Sequence, residues 1–425
     1  MRTSFSQVQL QDPAVAAAER ELRKCVHCGI CTATCPTYTL LGDELDGPRG
    51  RIQLIQGMLE SGAAPSATVV THIDRCLSCL ACVSACPSGV DYPRLIDEAR
   101  AHVEQTYRRP WRQALTRRVL GVVLPRRLLL RLALSLGRMA SPFSALMPQA
   151  LRSMVGVANK LPSAQRKREL AKTYAAQGAP RLRVALHAGC VQEVIAPAIT
   201  ASAIRVLTRF GVEVAMVEGG GCCGALNHHL GQTAAFEERA SELVEDIAKQ
   251  GATLDAVVTT TSGCGAVMRD YGFLLRNEDA RAVGERVRDI SDVLGELPLE
   301  ASGSLPKLRI AYHAPCSLAH GMRRGTMMPK ALMKLGLDVV TSSDANCCGS
   351  AGVYNVLQPQ IADALQARKA DALNALHADV IVSGNIGCLT QIAAAVQVPV
   401  VHVVELIDWA TGGPVPQALR DRIRS

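Results

Sequence analysis

Two runs of cysteine constrain this chain more than any other feature. Cys25-x2-Cys28-x2-Cys31-x3-Cys35-Pro36 and Cys76-x2-Cys79-x2-Cys82-x3-Cys86-Pro87 have identical spacing. Three thiolates on one tight loop can cap three irons of a cubane, and the fourth ligand must come from elsewhere. In the two-cluster iron–sulfur pattern, the last cysteine of each run serves the other cluster. The spacing therefore assigns one [4Fe–4S] cluster to Cys25, Cys28, Cys31 and Cys86, and a second to Cys76, Cys79, Cys82 and Cys35. Pro36 and Pro87 turn the chain away after each crossing ligand. Gly29 permits close backbone approach, which aims amides at cluster sulfur.

Zinc is the competing reading. It favours paired CxxC or mixed Cys/His sites, and two CxxCxxCxxxCP runs fit iron–sulfur better. His27 sits inside the first run, where a lone histidine is read as a neighbour of the cluster rather than a ligand. About 40 residues separate the runs, more than small bacterial ferredoxins use. Ile52–Glu60 reads as a helix, so the domain is expected to be the helical type.

The chain has 425 residues, 48% of them apolar, enough for two or three domains with cores of their own. Net charge is +8, but aromatics are 3% and no basic stripe with interleaved aromatics appears, so nucleic-acid binding is not expected. Sixteen cysteines would suggest disulfides in a secreted protein. Residues 1–24 lack a signal-peptide core; Asp12 and Pro13 instead read as the start of a helix through Ala14–Lys24. Clustered cysteines in a reducing compartment read as metal ligands, and a cytoplasmic location is expected. The best membrane-spanning candidate, Val119–Gly137, is interrupted by Arg126, Arg127 and Arg131.

Eight cysteines lie between Cys25 and Cys86, none from Gly89 to Gly189, and eight more from Cys190 to Cys388. Tyr107–Lys172 is rich in arginine and leucine and broken by five prolines. It reads as a basic helical linker, either with its arginines facing water or as a surface for a partner subunit or an anionic membrane.

The last part repeats internally. Arg183-Val-Ala-Leu-His-Ala-Gly-Cys190 matches Arg309-Ile-Ala-Tyr-His-Ala-Pro-Cys316, and Gly211-Val-Glu-Val matches Gly336-Leu-Asp-Val. Cys222-Cys223-Gly224 matches Cys347-Cys348-Gly349, and Asp255 with Cys264 matches Asp379 with Cys388, all at offsets of 124 to 126 residues. Val184–His187, Val212–Val217, Ala256–Thr259 and Val380–Ser383 are short apolar runs of the kind buried parallel strands use. The cysteines follow the strands, where ligands sit in open α/β sheets. The expected fold class is α+β: a helical two-cluster domain over 1–105, the linker over 106–180, and α/β cysteine-rich (CCG) domains over 181–300 and 301–425.

Each repeat offers four thiols: Cys190, Cys222, Cys223 and Cys264, then Cys316, Cys347, Cys348 and Cys388. A further metal site, a redox-active thiol pair and plain buried cysteines are all compatible with vicinal pairs. His187 and His313, three residues before a cysteine, read as extra ligands, neighbouring donors or core histidines.

Paired CxxCxxCxxxCP runs followed by two CCG repeats resemble the iron–sulfur subunits of flavin-linked dehydrogenases: glycolate oxidase, anaerobic glycerol-3-phosphate dehydrogenase and heterodisulfide reductase. Cys25 through Arg51, with Thr-Leu-Leu-Gly-Asp-Glu-Leu-Asp-Gly-Pro-Arg-Gly-Arg at its end, looks closest to the glycolate oxidase group. So do Arg75-Cys-Leu-Ser-Cys, Cys86-Pro-Ser-Gly-Val, Ser262-Gly-Cys-Gly, Cys347-Cys-Gly-Ser-Ala-Gly and Asn385-Ile-Gly-Cys. The match runs from about residue 20 to the end, least distinctively in the linker.

The resemblance implies FAD-binding partner subunits, with glycolate oxidised to glyoxylate at the flavin. Electrons would then pass through this chain toward an acceptor of the respiratory chain, in the cytoplasm or at the inner membrane face. No flavin is expected here, since Gly219-Gly-Gly221 runs straight into Cys222 and no GxGxxG follows a strand. No catalytic residue is assigned. One departure concerns the repeats: heterodisulfide reductases end each CCG motif in CxxC, whereas Val267 and Gln391 stand here after Cys264 and Cys388. Four thiolates per repeat leave a smaller cluster, a differently ligated one, or none. Iron–sulfur subunits for D-lactate or glycerol-3-phosphate, and a disulfide reductase acting at the CCG cysteines, are the alternatives.

Overall fold

The computed structural model describes residues 1–147, 155, 170–217, 221–251, 253–303, 305–324, 327–344 and 346–420. They fall into two compact units: 1–121 with 226–236 and 346–365, and 122–225 with 237–345 and 366–425.

The first unit is built mainly from helices: α1 (Pro13–Lys24), α2 (Pro36–Leu41), α3 (Pro48–Ser61), α4 (Ala67–Asp74), α5 (Ala81–Ala85) and α6 (Tyr92–Thr106). Asp12 caps α1 by accepting from the Ala14 amide at 2.8 Å, with Pro13 in the first turn. The helix expected over Ile52–Glu60 begins earlier, at Pro48, because proline needs no amide partner in a first turn. On α6, Leu95, Ile96, Ala99 and Val103 recur at helical spacing and are fully buried. They pack with Leu22, Ile52, Ile55 and Ile73 in one core beside the cysteine runs. Segment 226–236 attaches to this core through His228, whose Nε2 lies 3.1 Å from Asp97 on α6.

The second unit holds both repeats' sheets. Strands β1 (Thr173–Tyr174), β2 (Leu182–His187), β3 (Val212–Met216), β4 (Ala256–Thr259) and β5 (Val287–Asp289) run in the order β1-β3-β2-β4-β5. Only β1 is antiparallel among them. Strands β6 (Arg309–His313), β7 (Asp338–Thr341), β8 (Val380–Ser383) and β9 (Val400–His402) are all parallel, in the order β7-β6-β8-β9. Without β1 the two orders are the same, which is the internal repeat seen in three dimensions. The matched aspartates show why they recur. The Asp255 carboxylate accepts from the Arg183 amide at 2.7 Å, and the Asp379 carboxylate from the Arg309 amide at 2.8 Å. Each aspartate pins the start of its central strand pair.

Strands β4 and β8 are buried at every position, as strands covered on both faces are. One core joins the two sheets. Buried Asp408 ties the repeats together by accepting from Arg205 and Arg209 on the helix Ala198–Arg209. In the expected linker, Pro110 and Pro125 precede α7 (Trp111–Val123) and α8 (Arg127–Met139). Residues 148–154 and 156–169 of the linker lie outside the described residues.

Candidate iron–sulfur centres

Both cysteine runs wrap their second cysteine in the same way. His27 and Gly29 have φ of 58° and 79°, and Ser78 and Leu80 have φ of 50° and 62°. Left-handed backbone on both sides of Cys28 and of Cys79 curls each loop into a cup. For Leu80 this conformation costs about 1–2 kcal/mol, a strain that marks a functional constraint. Gly29 carries no such cost.

Two cavities result, both in the first unit. The first is lined by Cys25, Cys28, Cys31, Cys82 and Cys86. It contains about 450 Å³ of non-protein space and opens to solvent. The second, of about 330 Å³, is lined by Cys35, Cys76, Cys79 and Cys82. Each cavity thus gathers cysteines of both runs, and Cys82 lines both.

The electrostatics of the thiols call for a bound cationic group. Burial pushes the Cys31 thiol up, and the neighbouring thiols of Cys25, Cys86 and Cys28 add to it. Burial pushes Cys82 well up, helped by Cys79, Cys76, Cys35 and Cys31. Thiols crowded this closely ionise together only around a cationic centre. An iron–sulfur core bearing several ferric and ferrous charges fits that donor set.

Beside the second cavity lies a charge cage that sequence reasoning did not assign. Arg51, 1% exposed, donates from Nε to the His72 carbonyl at 2.7 Å and from Nη2 to Thr37 Oγ1 at 3.1 Å. Its Nη1 lies 3.9 Å from Cys35 Sγ. Asp46, fully buried, takes Arg51 at 3.5 Å, His72 Nδ1 at 2.9 Å and Arg75 Nη1 at 2.8 Å. Burial opposes the Arg51 charge, but Cys76, Tyr92, Cys35 and Asp46 outweigh it and raise its pKa. Asp46-Gly-Pro-Arg-Gly-Arg51 carried the family resemblance, yet nothing in its spacing shows that Arg51 turns inward. Tyr92 lines both cavities, is 4% exposed, and its hydroxyl has no hydrogen-bond partner. A single tyrosine outside the motifs gave no signal at all.

In the second unit, the first repeat brings its four cysteines together. Cys190 Sγ donates to Cys222 Sγ at 3.6 Å, and the Gly224 amide donates to Cys222 Sγ at 3.4 Å. Hydrogen bonds from Cys190 and Cys223 hold the Cys222 thiol well below its ordinary range. Cys223 in turn meets Cys264, and hydrogen bonding with Cys222 and Cys264, with burial, pushes it well up. Tyr271 fixes this turn by donating to the Cys223 carbonyl at 2.8 Å. His187 Nε2 donates to the Gly221 carbonyl at 3.0 Å, and burial lowers its pKa.

In the second repeat, Cys316 follows β6 and buried Cys388 lies on the helix Ile386–Ala393. Both belong to the second unit, whereas buried Cys347 and Cys348 fall in the segment of the first. His313 is buried, and burial with the Lys369 charge lowers its pKa to about 3.

Residues 21–90 match the family model of the 4Fe-4S dicluster domain, and 184–269 and 310–393 match that of the cysteine-rich domain. The described residues follow that order: a helical iron–sulfur domain, then two α/β cysteine-rich repeats. A crystal structure of a hypothetical protein from Helicobacter pylori shares the fold at a TM-score of 0.55 and 10% identity, over 96% of this chain and 74% of that one. A probable glycolate oxidase iron–sulfur subunit of Bacillus subtilis is 29% identical over 93% of this chain and 95% of its own. The glycolate oxidase iron–sulfur subunit of Escherichia coli is 38% identical over 96% of this chain and 99% of its own. With the motifs, the repeated domains and this full-length likeness in agreement, the chain belongs to the family of glycolate oxidase iron–sulfur subunits.

Proposed function

We propose that this chain is the electron-transfer subunit of a glycolate-oxidising complex. It would take electrons from FAD-binding partner subunits that convert glycolate to glyoxylate, and pass them toward an acceptor of the respiratory chain. The observation that carries this reading is the gathering of eight thiols into two adjacent cavities, each lined by cysteines of both runs. Cys25, Cys28, Cys31 and Cys86 would hold one [4Fe–4S] cluster, and Cys76, Cys79, Cys82 and Cys35 the other. Each cluster, when bound, supplies a one-electron carrier. The chain's own part is to hold the thiolates in strained cups, to donate amides such as that of Val90 to Cys86 Sγ at 3.4 Å, and to set charge nearby. Substrate chemistry and flavin belong to the partners in this reading. The accompanying domain organisation is 1–105, 106–180, 181–300 and 301–425.

We also place a further iron–sulfur centre among the CCG cysteines, Cys190, Cys222, Cys223, Cys264, Cys316, Cys347, Cys348 and Cys388. The clustering of the first four around Cys222 supports it.

A peripheral position at the cytoplasmic face of the inner membrane completes the proposal. No helix among the described residues is long and apolar enough to cross a membrane. Helix α8, however, exposes Leu128, Leu132, Leu136 and Met139 along one side. No aspartate or glutamate occurs from Gln105 to Arg168, against fourteen arginines and lysines. Such a helix suits the interface of an anionic bilayer.

The test is iron and acid-labile sulfide content with EPR of the reduced, anaerobically purified chain. About eight irons and two interacting cubane signals are expected from the paired runs. Cys28→Ser should lose one of these signals and stop glycolate-dependent dye reduction by the complex while its flavin still reduces. Unchanged turnover would overturn the relay role. Iron beyond eight, with a signal lost in Cys223→Ser and cubanes intact in Cys264→Ser, is expected for a CCG centre; iron stopping at eight would remove it.

A further inference from the structure

The two cavities differ in the residues that line them. Arg51 lines the second and not the first. The nearest counterpart in the first is Arg49, whose side chain is 39% exposed and ion-paired with Glu44 at 2.7 Å. A buried charge acts through a low effective dielectric, whereas an exposed, paired one is screened. In the cage around Asp46, one carboxylate faces two guanidiniums, those of Arg51 and Arg75. A net positive charge therefore remains beside Cys35.

Tyr92 adds a hydrogen-bond donor. A buried hydroxyl without a partner loses about 1–3 kcal/mol, so one that persists points to an acceptor that the protein atoms do not supply. The phenol lines both cavities, and burial, with the nearby thiols of Cys76, Cys82 and Cys35, keeps it protonated. All three belong to the set proposed for the second centre. Pro93 follows it in the first turn of α6, and the ring packs in the core of the first unit, so its position is fixed by burial.

We propose that Tyr92 and Arg51 act together as positioning residues that bias the centre held by Cys35, Cys76, Cys79 and Cys82 toward reduction. Tyr92 donates a hydrogen bond to a sulfur of that centre, and Arg51 supplies the uncompensated charge. An added electron makes an iron–sulfur centre more negative. Donors and cations beside it stabilise the reduced form and raise its midpoint. The cavity of Cys25, Cys28, Cys31 and Cys86 lacks the buried Arg51 charge, so an electron shared between the two rests on the second. No bond is made or broken and no proton moves: Tyr92 keeps its proton and Arg51 its charge.

This inference rests on the two-cluster reading above, and its test separates the two. The full chain, in complex with its partner subunits, is titrated potentiometrically under anaerobic conditions with EPR detection. Iron content is measured on each sample. Tyr92→Phe keeps the ring's volume and removes only the hydroxyl; Arg51→Lys keeps a charge and Arg51→Gln removes it. The expected result is two midpoints in the parent complex. The higher one falls in Tyr92→Phe and in Arg51→Gln, is largely restored in Arg51→Lys, and the lower one does not move. Pulsed EPR in D2O should show an exchangeable deuteron coupled to the higher-potential centre that is missing in Tyr92→Phe. A packing role alone would leave that coupling and both midpoints unchanged in Tyr92→Phe. Full iron with unmoved midpoints, or movement of the lower midpoint instead, would overturn the bias. Absence of iron in the parent complex would overturn the two-cluster reading itself. Should Arg51→Gln fail to fold, Tyr92→Phe alone decides.

Discussion

The Tyr354 hydroxyl donates to the Arg75 carbonyl at 2.9 Å, joining residues 279 positions apart. Tyr354 opens the helix Tyr354–Leu357 just after the second CCG turn, and Arg75 immediately precedes Cys76. A piece of the second repeat thus forms part of the wall behind the second cysteine run. Burial, with Cys76 nearby, pushes the phenol well above its ordinary range, so it stays a donor. Tyr354→Phe should cost about 1 kcal/mol, the usual net worth of a hydrogen bond. It should also speed amide exchange over 346–365. Urea denaturation and hydrogen-exchange mass spectrometry check this; unchanged exchange would mean that packing, not the bond, seats the segment.

Gly50 is needed for close approach. A Cβ there would stand 2.2 Å from the Glu44 carbonyl oxygen and 2.7 Å from its carbon, both backbone atoms that cannot rotate away. Gly50→Ala should force α3 off the preceding turn and displace Arg51 from its cage. The overpacking cost is about 1–3 kcal/mol. Thermal unfolding should show the loss, and iron analysis should show poorer retention of the centre beside Cys35 than of the other.

His402 links stability to acid. Its Nδ1 accepts from the Val404 amide at 3.1 Å, so the ring proton is on Nε2, which donates to the Thr260 carbonyl at 2.9 Å. Burial lowers its pKa to about 4 from an ordinary value of 6.5. A histidine with a lowered folded pKa contributes stability that is present above 6.5 and lost as pH falls through about 4. The full effect is about 3 kcal/mol. Asp289 has the opposite sign: burial raises it to about 7, so its contribution is lost as pH rises through that value. Denaturation curves of His402→Gln and the parent chain between these limits should converge on acidification. Parallel curves would show that His402 does not titrate in this window.

The exposed side of α8 yields a binding prediction. The chain should sediment with vesicles containing phosphatidylserine and not with phosphatidylcholine alone, and should be released by high salt. Each basic residue near such a surface is worth about 1 kcal/mol. Replacing Leu128, Leu132 and Leu136 with serine should abolish sedimentation without changing iron content. Retained binding would assign the contact elsewhere, and no binding by the parent chain would leave this face to a protein partner.

The sequence by itself determined the parts that depend on local spacing. CxxCxxCxxxCP fixes three thiolates on one loop because the loop is too short to do otherwise. Apolar runs at offsets of 124 to 126 residues give strands β2, β4 and β8 and their repetition, because a strand buried on both faces needs unbroken apolar sequence. Tertiary structure decided what arises between distant residues. That Arg51 turns inward to Asp46 and His72, that Tyr92 lines two cavities with a spare hydroxyl, and that Tyr354 reaches Arg75 are consequences of helix packing. Side-chain direction, burial and hydrogen-bond partners across such distances leave no periodic trace along the chain. Only the folded core sets which charge stands beside which thiol.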